Sequence, residues 1–136
     1  MATILRSNYK PTAKEKFMNA KQQAYFRQKL NKWRSELLDE ASETRQNLQE
    51  TSISEADIAD RASTETDRSL ELRTRDRARK LISKIDEALE RIDDGSYGYC
   101  EETGEPIGLK RLEARPVATL SLEAQEMHEK AEKRLN

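Results

Sequence analysis

A pattern near the end of this chain has the spacing of a zinc site. Cys100 and Thr103 are separated by two residues, seventeen residues follow, and Ser121 and Ala124 repeat the two-residue gap. Four cysteines at this spacing would bind zinc as thiolates. Three of the four thiolates are missing, and hydroxyl and methyl groups cannot replace them. We therefore predict a degenerate zinc site that binds no zinc.

The chain has one cysteine and one histidine, Cys100 and His128. Together they would give two ligands, fewer than a structural zinc site needs. We interpret His128 as an ordinary exposed helix residue and Cys100 as a buried packing residue, not a reactive thiol. A single cysteine excludes an internal disulfide and is typical of a reducing compartment, so we expect a cytoplasmic protein.

Carboxylates form the second candidate site, in the stretch from Glu55 to Ala62 that contains Asp57 and Asp60. Residues 50–67 carry six acidic side chains and one basic, whereas residues 68–84 carry seven basic and two acidic. Charge blocks of this kind are more often a solvated helix face than a binding site. The carboxylates could accept hydrogen bonds from a partner or act on bound magnesium.

Two long helices must position this acidic stretch. Before it, one helix face carries Phe26, Leu30, Trp33, Leu37, Ala41, Thr44 and Leu48; after it, another carries Ala78, Ile82, Ile85, Leu89 and Ile92. Steps of three and four are the period of one helix face, and two such seams bury most readily against each other. We predict an antiparallel coiled-coil hairpin over residues 25–92 with its tip near 53–62.

The remaining segments are predicted to form a small globular end. Residues 1–24 should be an arm and a short helix, which starts at the capping box of Thr12 and Glu15 or at Asn19. Residues 93–120 are rich in turn residues and should form a zinc-ribbon-like element. Residues 121–136 should form a last helix that packs on the hairpin base through Leu122, Met127, Ala131 and Leu135. The fold class is therefore mostly α.

Composition excludes several kinds of function. The net charge of −1 provides no positive field for DNA or anionic lipid, and no apolar run is long enough to span a membrane. There is no nucleophile–base pair and no glycine-rich phosphate loop, so we predict that the protein is not an enzyme. Because each helix seam can be covered within one chain, we expect a monomer.

Several longer motifs carry a family resemblance. They are Tyr25-Phe26-Arg27, Asp57-x-x-Asp60-Arg61-Ala62, the segment 69–82, Tyr97-Gly98-Tyr99-Cys100, and Arg111-Leu112-Glu113-Ala114-Arg115-Pro116. With them the chain resembles the DksA/TraR family of bacterial transcription factors, and closely its DksA branch. The resemblance covers roughly residues 17–127. Because only Cys100 remains of the zinc motif, the chain is similar to the cysteine-poor members of the family, which the resemblance implies work without zinc.

This resemblance implies a regulator that binds RNA polymerase and does not bind DNA. Family members pass the coiled-coil arm into the secondary channel and place the acidic tip near the catalytic centre. They destabilise promoter open complexes, repress ribosomal RNA promoters and favour amino-acid biosynthesis promoters together with the alarmone ppGpp, in the stringent response.

The family's functional positions carry over to specific residues. The resemblance implies tip residues Asp57, Asp60 and Ala62, a polymerase contact at Arg77, and a ppGpp site with Leu81, Lys84 and Arg115. One basic family position in the last helix is Gln125 here, which removes one phosphate partner.

Two alternatives stay open. A Gre-like transcript-cleavage factor would use Asp57 and Asp60 to position a catalytic metal. A structural coiled coil would need only the seams. The family motifs favour the polymerase regulator.

Overall fold

The computed structural model describes residues 5–54 and 58–135, with side chains at 5–43, 46 and 65–135. Four helices account for most of them: α1 Ala20–Ser54, α2 Ile58–Asp94, α3 Leu109–Ala114 and α4 Leu122–Leu135. The described residues form two compact units, Met1–Asn31 with Asp86–Asn136, and Lys32–Ile85. The mostly α fold class is therefore confirmed.

The two long helices α1 and α2 pack against each other along the predicted seams. Residues 12–94 contain neither glycine nor proline, which leaves both helices without a breaker. Of the predicted seam residues, Phe26, Leu30 and Ile92 are buried in the first unit, and Leu37, Ala78 and Ile85 are buried in the second. Ala88, which the seam prediction did not include, is also buried. Burial of each large side chain contributes roughly 1.5–3 kcal/mol. Arg27 of α1 pairs with Asp93 of α2 at 2.6 Å, so the helices run antiparallel.

The first helix begins at Ala20, not at the predicted Thr12. Asn19 caps it, because its Oδ1 accepts a hydrogen bond from the backbone N–H of Gln22 at 2.9 Å. The Gln22 side chain in turn accepts one from the backbone N–H of Met18 at 2.8 Å. Of the two predicted starts, Asn19 is confirmed and the short helix from Thr12 is wrong.

The residues before α1 form turns and not a helix. Their contacts with the rest of the fold stabilise the turns by more than a short helix would contribute. The Glu15 carboxylate accepts a hydrogen bond from the Tyr9 hydroxyl at 2.6 Å. Met18 adopts a positive φ of 54° and is buried, and the Phe17 ring meets the Tyr99 ring edge-on at 5.5 Å between centroids. A single isolated helical turn has little stability to set against that packing.

The second helix begins at Ile58 and ends at Asp94. The hydroxyl residues Ser52 and Ser54 lie within α1, so neither of them caps α2. At the other end Gly95 has a φ of 87°. The carbonyl oxygen of Arg91 accepts hydrogen bonds from the backbone N–H groups of the two residues that follow Gly95, Ser96 and Tyr97. This is a glycine-terminated helix end, and it lies two residues beyond the predicted end of the hairpin at residue 92.

The last helix differs from its prediction. Ser121 caps α4, since its hydroxyl accepts a hydrogen bond from the backbone N–H of Ala124 at 3.2 Å. However, Leu122, Met127 and Leu135 are 57%, 71% and 87% exposed, and Ala124 is the only residue of α4 that is buried. The prediction that this apolar face packs on the hairpin base is wrong, because only the first turn of α4 reaches the core.

Candidate functional site

The acidic stretch is only partly described. Asp57 lies outside the described residues, and Asp60 and Ala62 lie in the first turns of α2, with side chains that also fall outside the description. Beyond them, Glu65 and Asp67 are exposed. The predicted tip roles of Asp57, Asp60 and Ala62 therefore stay predictions.

The predicted contact residues of α2 lie at helical spacing. Arg77, Leu81 and Lys84 follow one another by four and three residues, so they share one side of α2. Arg77 and Lys84 are exposed, and Leu81 is half-buried. Two flexible cations beside an apolar side chain can hold an anionic group against a small hydrophobic surface.

Arg115 belongs to the other compact unit, where it follows α3. Its backbone N–H donates a hydrogen bond to the carbonyl oxygen of Arg111 at 2.8 Å and closes the last turn of α3. Its side chain is exposed. A guanidinium in this position can bind phosphate oxygens in a bidentate manner.

A charged network holds α3 against α1. Lys29 of α1 donates a hydrogen bond to the Glu113 carboxylate of α3 at 2.6 Å, and both side chains are about one-third exposed. Burial alone would raise the pKa of Glu113, but Lys29 and the Tyr25 hydroxyl lower it below its ordinary value. Burial, followed by the interaction with Glu113, raises the pKa of Tyr25 to about 12. The Glu113 carboxylate is therefore held in its charged form.

The degenerate zinc positions surround a buried sulfur. Cys100 is 3% exposed, and its backbone N–H donates to the carbonyl oxygen of Glu105 at 2.8 Å. The Thr103 hydroxyl and the backbone N–H groups of Ser121, Thr103 and Glu102 face the sulfur and lower the pKa of Cys100 to about 6. Thr103 and Ser121 thus meet Cys100 as the spacing predicts, and the buried position of Cys100 is confirmed.

Two residues of α4 bear on the predicted sites. His128 is exposed, as predicted, and its Nε2 contacts the Glu102 carboxylate. Gln125 is half-buried, and its side-chain amide donates to Glu129 at 3.3 Å. Gln125 therefore presents a neutral amide, and not a cation, at this position of α4.

Sequence reasoning missed the Lys29–Glu113 pair and the lowered pKa of Cys100. The pair joins residues 84 positions apart, which no local pattern predicts. The thiolate is stabilised first by the Thr103 hydroxyl and then by backbone N–H groups, and the placement of both depends on the fold.

Comparison with known proteins places this arrangement in a family. Residues 22–92 match the profile described as "DnaK suppressor protein DksA, N-terminal domain", and residues 95–130 match "Prokaryotic dksA/traR C4-type zinc finger". The chain is 64% identical over 134 residues to the "RNA polymerase-binding transcription factor DksA" of Caulobacter vibrioides, with 97% of this chain and 94% of that protein covered. The chain belongs to the DksA family.

Other DksA proteins agree with this assignment. The protein of the same name from Escherichia coli K12 is 43% identical over 127 residues, with 93% of this chain and 84% of that protein covered. The solved structure of DksA2 from Pseudomonas aeruginosa is 46% identical and superposes with a TM-score of 0.82, covering 90% of this chain and 93% of that one. These DksA relatives are transcription factors and not enzymes.

The C4-type zinc finger of the DksA family does not fit the residues present here. Of the four ligand positions only Cys100 supplies a thiolate; Thr103, Ser121 and Ala124 do not. Across the residues that the structure describes, no group of three or more His, Cys, Asp or Glu side chains comes together as a metal site would require. Nor does any described helix have a stretch long and apolar enough to cross a bilayer.

Proposed function

We propose that this chain is a transcription regulator that binds bacterial RNA polymerase. The observation that carries the proposal is 64% identity, over nearly the whole chain, to a DksA protein whose name states RNA polymerase binding. Support also comes from the fold, since both compact units belong to a chain that superposes on DksA2.

In this proposal, the arm formed by α1 and α2 enters the secondary channel of the polymerase. Arg77 is a polymerase contact, because it is exposed within the strongly basic block of α2. Helices that are already formed lose little conformational entropy on docking, so more of the contact energy appears as affinity. The arm thereby carries the acidic tip to the neighbourhood of the catalytic centre.

At the tip, Asp57 and Asp60 weaken the open promoter complex, with Ala62 beside them. Carboxylates can accept hydrogen bonds from basic or backbone groups of the polymerase, or disturb its magnesium environment. Ribosomal RNA promoters are thereby repressed, and amino-acid biosynthesis promoters are favoured.

The alarmone ppGpp strengthens this regulation through Leu81, Lys84 and Arg115. The two cations have the chemistry to bind its phosphates, and Leu81 supplies an apolar neighbour. Gln125 removes one charged partner, so the response to ppGpp should be weaker than in a DksA protein that has a cation there.

The remaining features of the proposal follow from the same assignment. The regulator acts in the cytoplasm as a monomer, without direct DNA binding. It binds no zinc, and packing and hydrogen bonds around Cys100 hold the globular end.

In vitro transcription from a ribosomal promoter, with purified polymerase and with or without ppGpp, tests the proposal. We expect repression by the protein alone and stronger repression with ppGpp. Absence of any effect, together with no binding to polymerase, would overturn it. Transcript cleavage in stalled complexes would instead identify a Gre-like factor.

A further inference from the structure

We infer that Glu113, held by Lys29, is a positioning residue that orients Arg115 toward its anionic ligand. This inference rests on the proposed role of Arg115 in binding ppGpp. It adds Lys29 on α1 and Glu113 on α3 to the residues that determine the affinity for the ligand, although neither contacts the ligand.

The short length of α3 makes its orientation depend on other parts of the fold. A helix of six residues is far below the length at which a helix is stable by itself. Its start at Gly108 has no side-chain cap. The direction in which α3 and its following residue point must therefore be fixed by contacts with the rest of the unit.

Three consecutive residues of α3 provide these contacts. The Arg111 Nε donates a hydrogen bond to the carbonyl oxygen of Leu120 at 2.9 Å, and Leu112 is fully buried. Glu113 accepts the 2.6 Å hydrogen bond from Lys29. Of the three, Glu113 is nearest to Arg115 along the chain, so it restrains the last turn from which the guanidinium projects.

The charges of this segment are also suited to an anion. Lys110, Arg111 and Arg115 are cationic, and Glu113 is the only acidic residue from 109 to 115. Lys29 neutralises that carboxylate. Among the residues that the structure describes, Arg115 itself has no ion-pair partner, which leaves its guanidinium available to phosphate oxygens.

If the Lys29–Glu113 pair only fixes a backbone segment, its loss should change ligand affinity only through Arg115, the residue that it positions. Replacement of Glu113 by Gln retains the shape of the side chain and removes the charge that holds Lys29. The last turn of α3 would then sample more orientations, and binding of ppGpp would carry an additional ordering cost.

The experiment measures the ppGpp concentration for half-maximal effect on a ribosomal promoter. We expect Glu113→Gln, and separately Lys29→Met, to raise this concentration about two- to fivefold, the range for loss of an ion pair that is about one-third exposed. Arg115→Ala should raise it at least about tenfold, as expected for a lost charged hydrogen bond.

The double variant Glu113→Gln/Arg115→Ala distinguishes positioning from general weakening. If Glu113 acts through Arg115, the double variant should equal Arg115→Ala within error. Asp93→Asn is the matched control, because it breaks the 2.6 Å ion pair with Arg27 in the same unit without touching α3. It should leave the half-effect concentration unchanged.

Three results would overturn the inference. The first is that Glu113→Gln leaves the half-effect concentration of ppGpp unchanged while the wild type responds to ppGpp. The second is that the effects of the two substitutions add in the double variant. The third is that Asp93→Asn raises the half-effect concentration as much as Glu113→Gln does. A wild type that regulates the promoter but ignores ppGpp would remove the ppGpp part of the proposed function and this inference with it. A wild type that neither binds nor regulates polymerase would overturn the proposed function as a whole.

Discussion

The hydroxyl of Tyr97 donates a hydrogen bond to the carbonyl oxygen of Pro116 across 2.8 Å inside the globular end. Close by along the chain, the backbone N–H of Glu101 donates to the carbonyl oxygen of Thr119 at 2.9 Å. Both bonds join the segment around Cys100 to the segment that leads into α4. A zinc ion held by four thiolates would join the same two segments, so these bonds supply part of the connection that the missing ligands cannot.

Replacement of Tyr97 by Phe should therefore destabilise the protein. Tyr97 is 2% exposed, and the variant leaves the Pro116 carbonyl oxygen buried without its donor. We expect a loss of about 1–3 kcal/mol in the free energy of unfolding, measured by urea denaturation. Tyr99→Phe is the control, because that side chain is 36% exposed and should cost under about 0.5 kcal/mol. Equal losses in the two variants would contradict the role of the bond.

Gly98 provides a second test of the packing that replaces metal. It has a φ of 90°, and an added Cβ would lie 3.1 Å from Met18 Cγ and 3.2 Å from Phe17 Cζ. Gly98→Ala should cost about 1–3 kcal/mol beyond the backbone strain alone, because it pushes Phe17 and Met18 off the globular end.

Gly104→Ala is the control that introduces backbone strain without a steric contact. Gly104 also has a positive φ, of 73°, but an added Cβ would meet no atom within 4 Å. Thermal unfolding of the two variants should show a clearly larger loss for Gly98→Ala. Similar losses would mean that the segment before α1 does not press on the globular end.

The sequence predicts the hairpin well and its surroundings less well, for physical reasons. The seam residues Phe26 and Ile85 repeat at helical spacing, and burial of such an apolar stripe provides most of the stability of packed helices. The start of α1 is ambiguous in sequence because Thr12 and Asn19 both have capping chemistry, and the choice depends on the distant contact of Phe17 with Tyr99. The prediction for the face of α4 fails because periodicity shows which residues are apolar, and not whether a surface exists to cover them.

The thiol of Cys100 should titrate well below an ordinary cysteine. Its pKa is lowered to about 6, first by the Thr103 hydroxyl and then by backbone N–H groups. Thiolate absorbance in the far ultraviolet, with Cys100→Ala as the blank, should rise with a midpoint near this value. Thr103→Val should raise the midpoint, whereas Thr74→Val, whose hydroxyl bonds the Leu70 carbonyl oxygen, should leave it unchanged. A midpoint near the ordinary value of about 8.5 would contradict the arrangement.

The same shift predicts how stability depends on pH. The folded state favours the thiolate more than the unfolded state does, so the contribution of Cys100 is fully present above about pH 8.5. It is lost as the pH falls through the folded pKa of about 6. The difference in unfolding free energy between wild type and Cys100→Ser should therefore grow as the pH rises from about 6 to about 8.5. A difference that is independent of pH would show that the sulfur contributes by packing alone.

The role proposed for the tip is tested by Asp60→Asn. This variant removes one charge with little change in helix preference, so it should abolish repression of a ribosomal promoter while polymerase affinity stays within about twofold. Asp67→Asn is the matched control, since it makes the same change seven residues further along α2, on the same helix side and at an exposed position. Both variants are compared by in vitro transcription and by competition for polymerase binding.

Equal loss of regulation in both variants would assign the effect to the charge of the acidic block. Loss of binding in Asp60→Asn would make that residue a docking contact. Retention of full repression by Asp60→Asn would remove the tip from the mechanism, because regulation would then arise from docking of the arm alone.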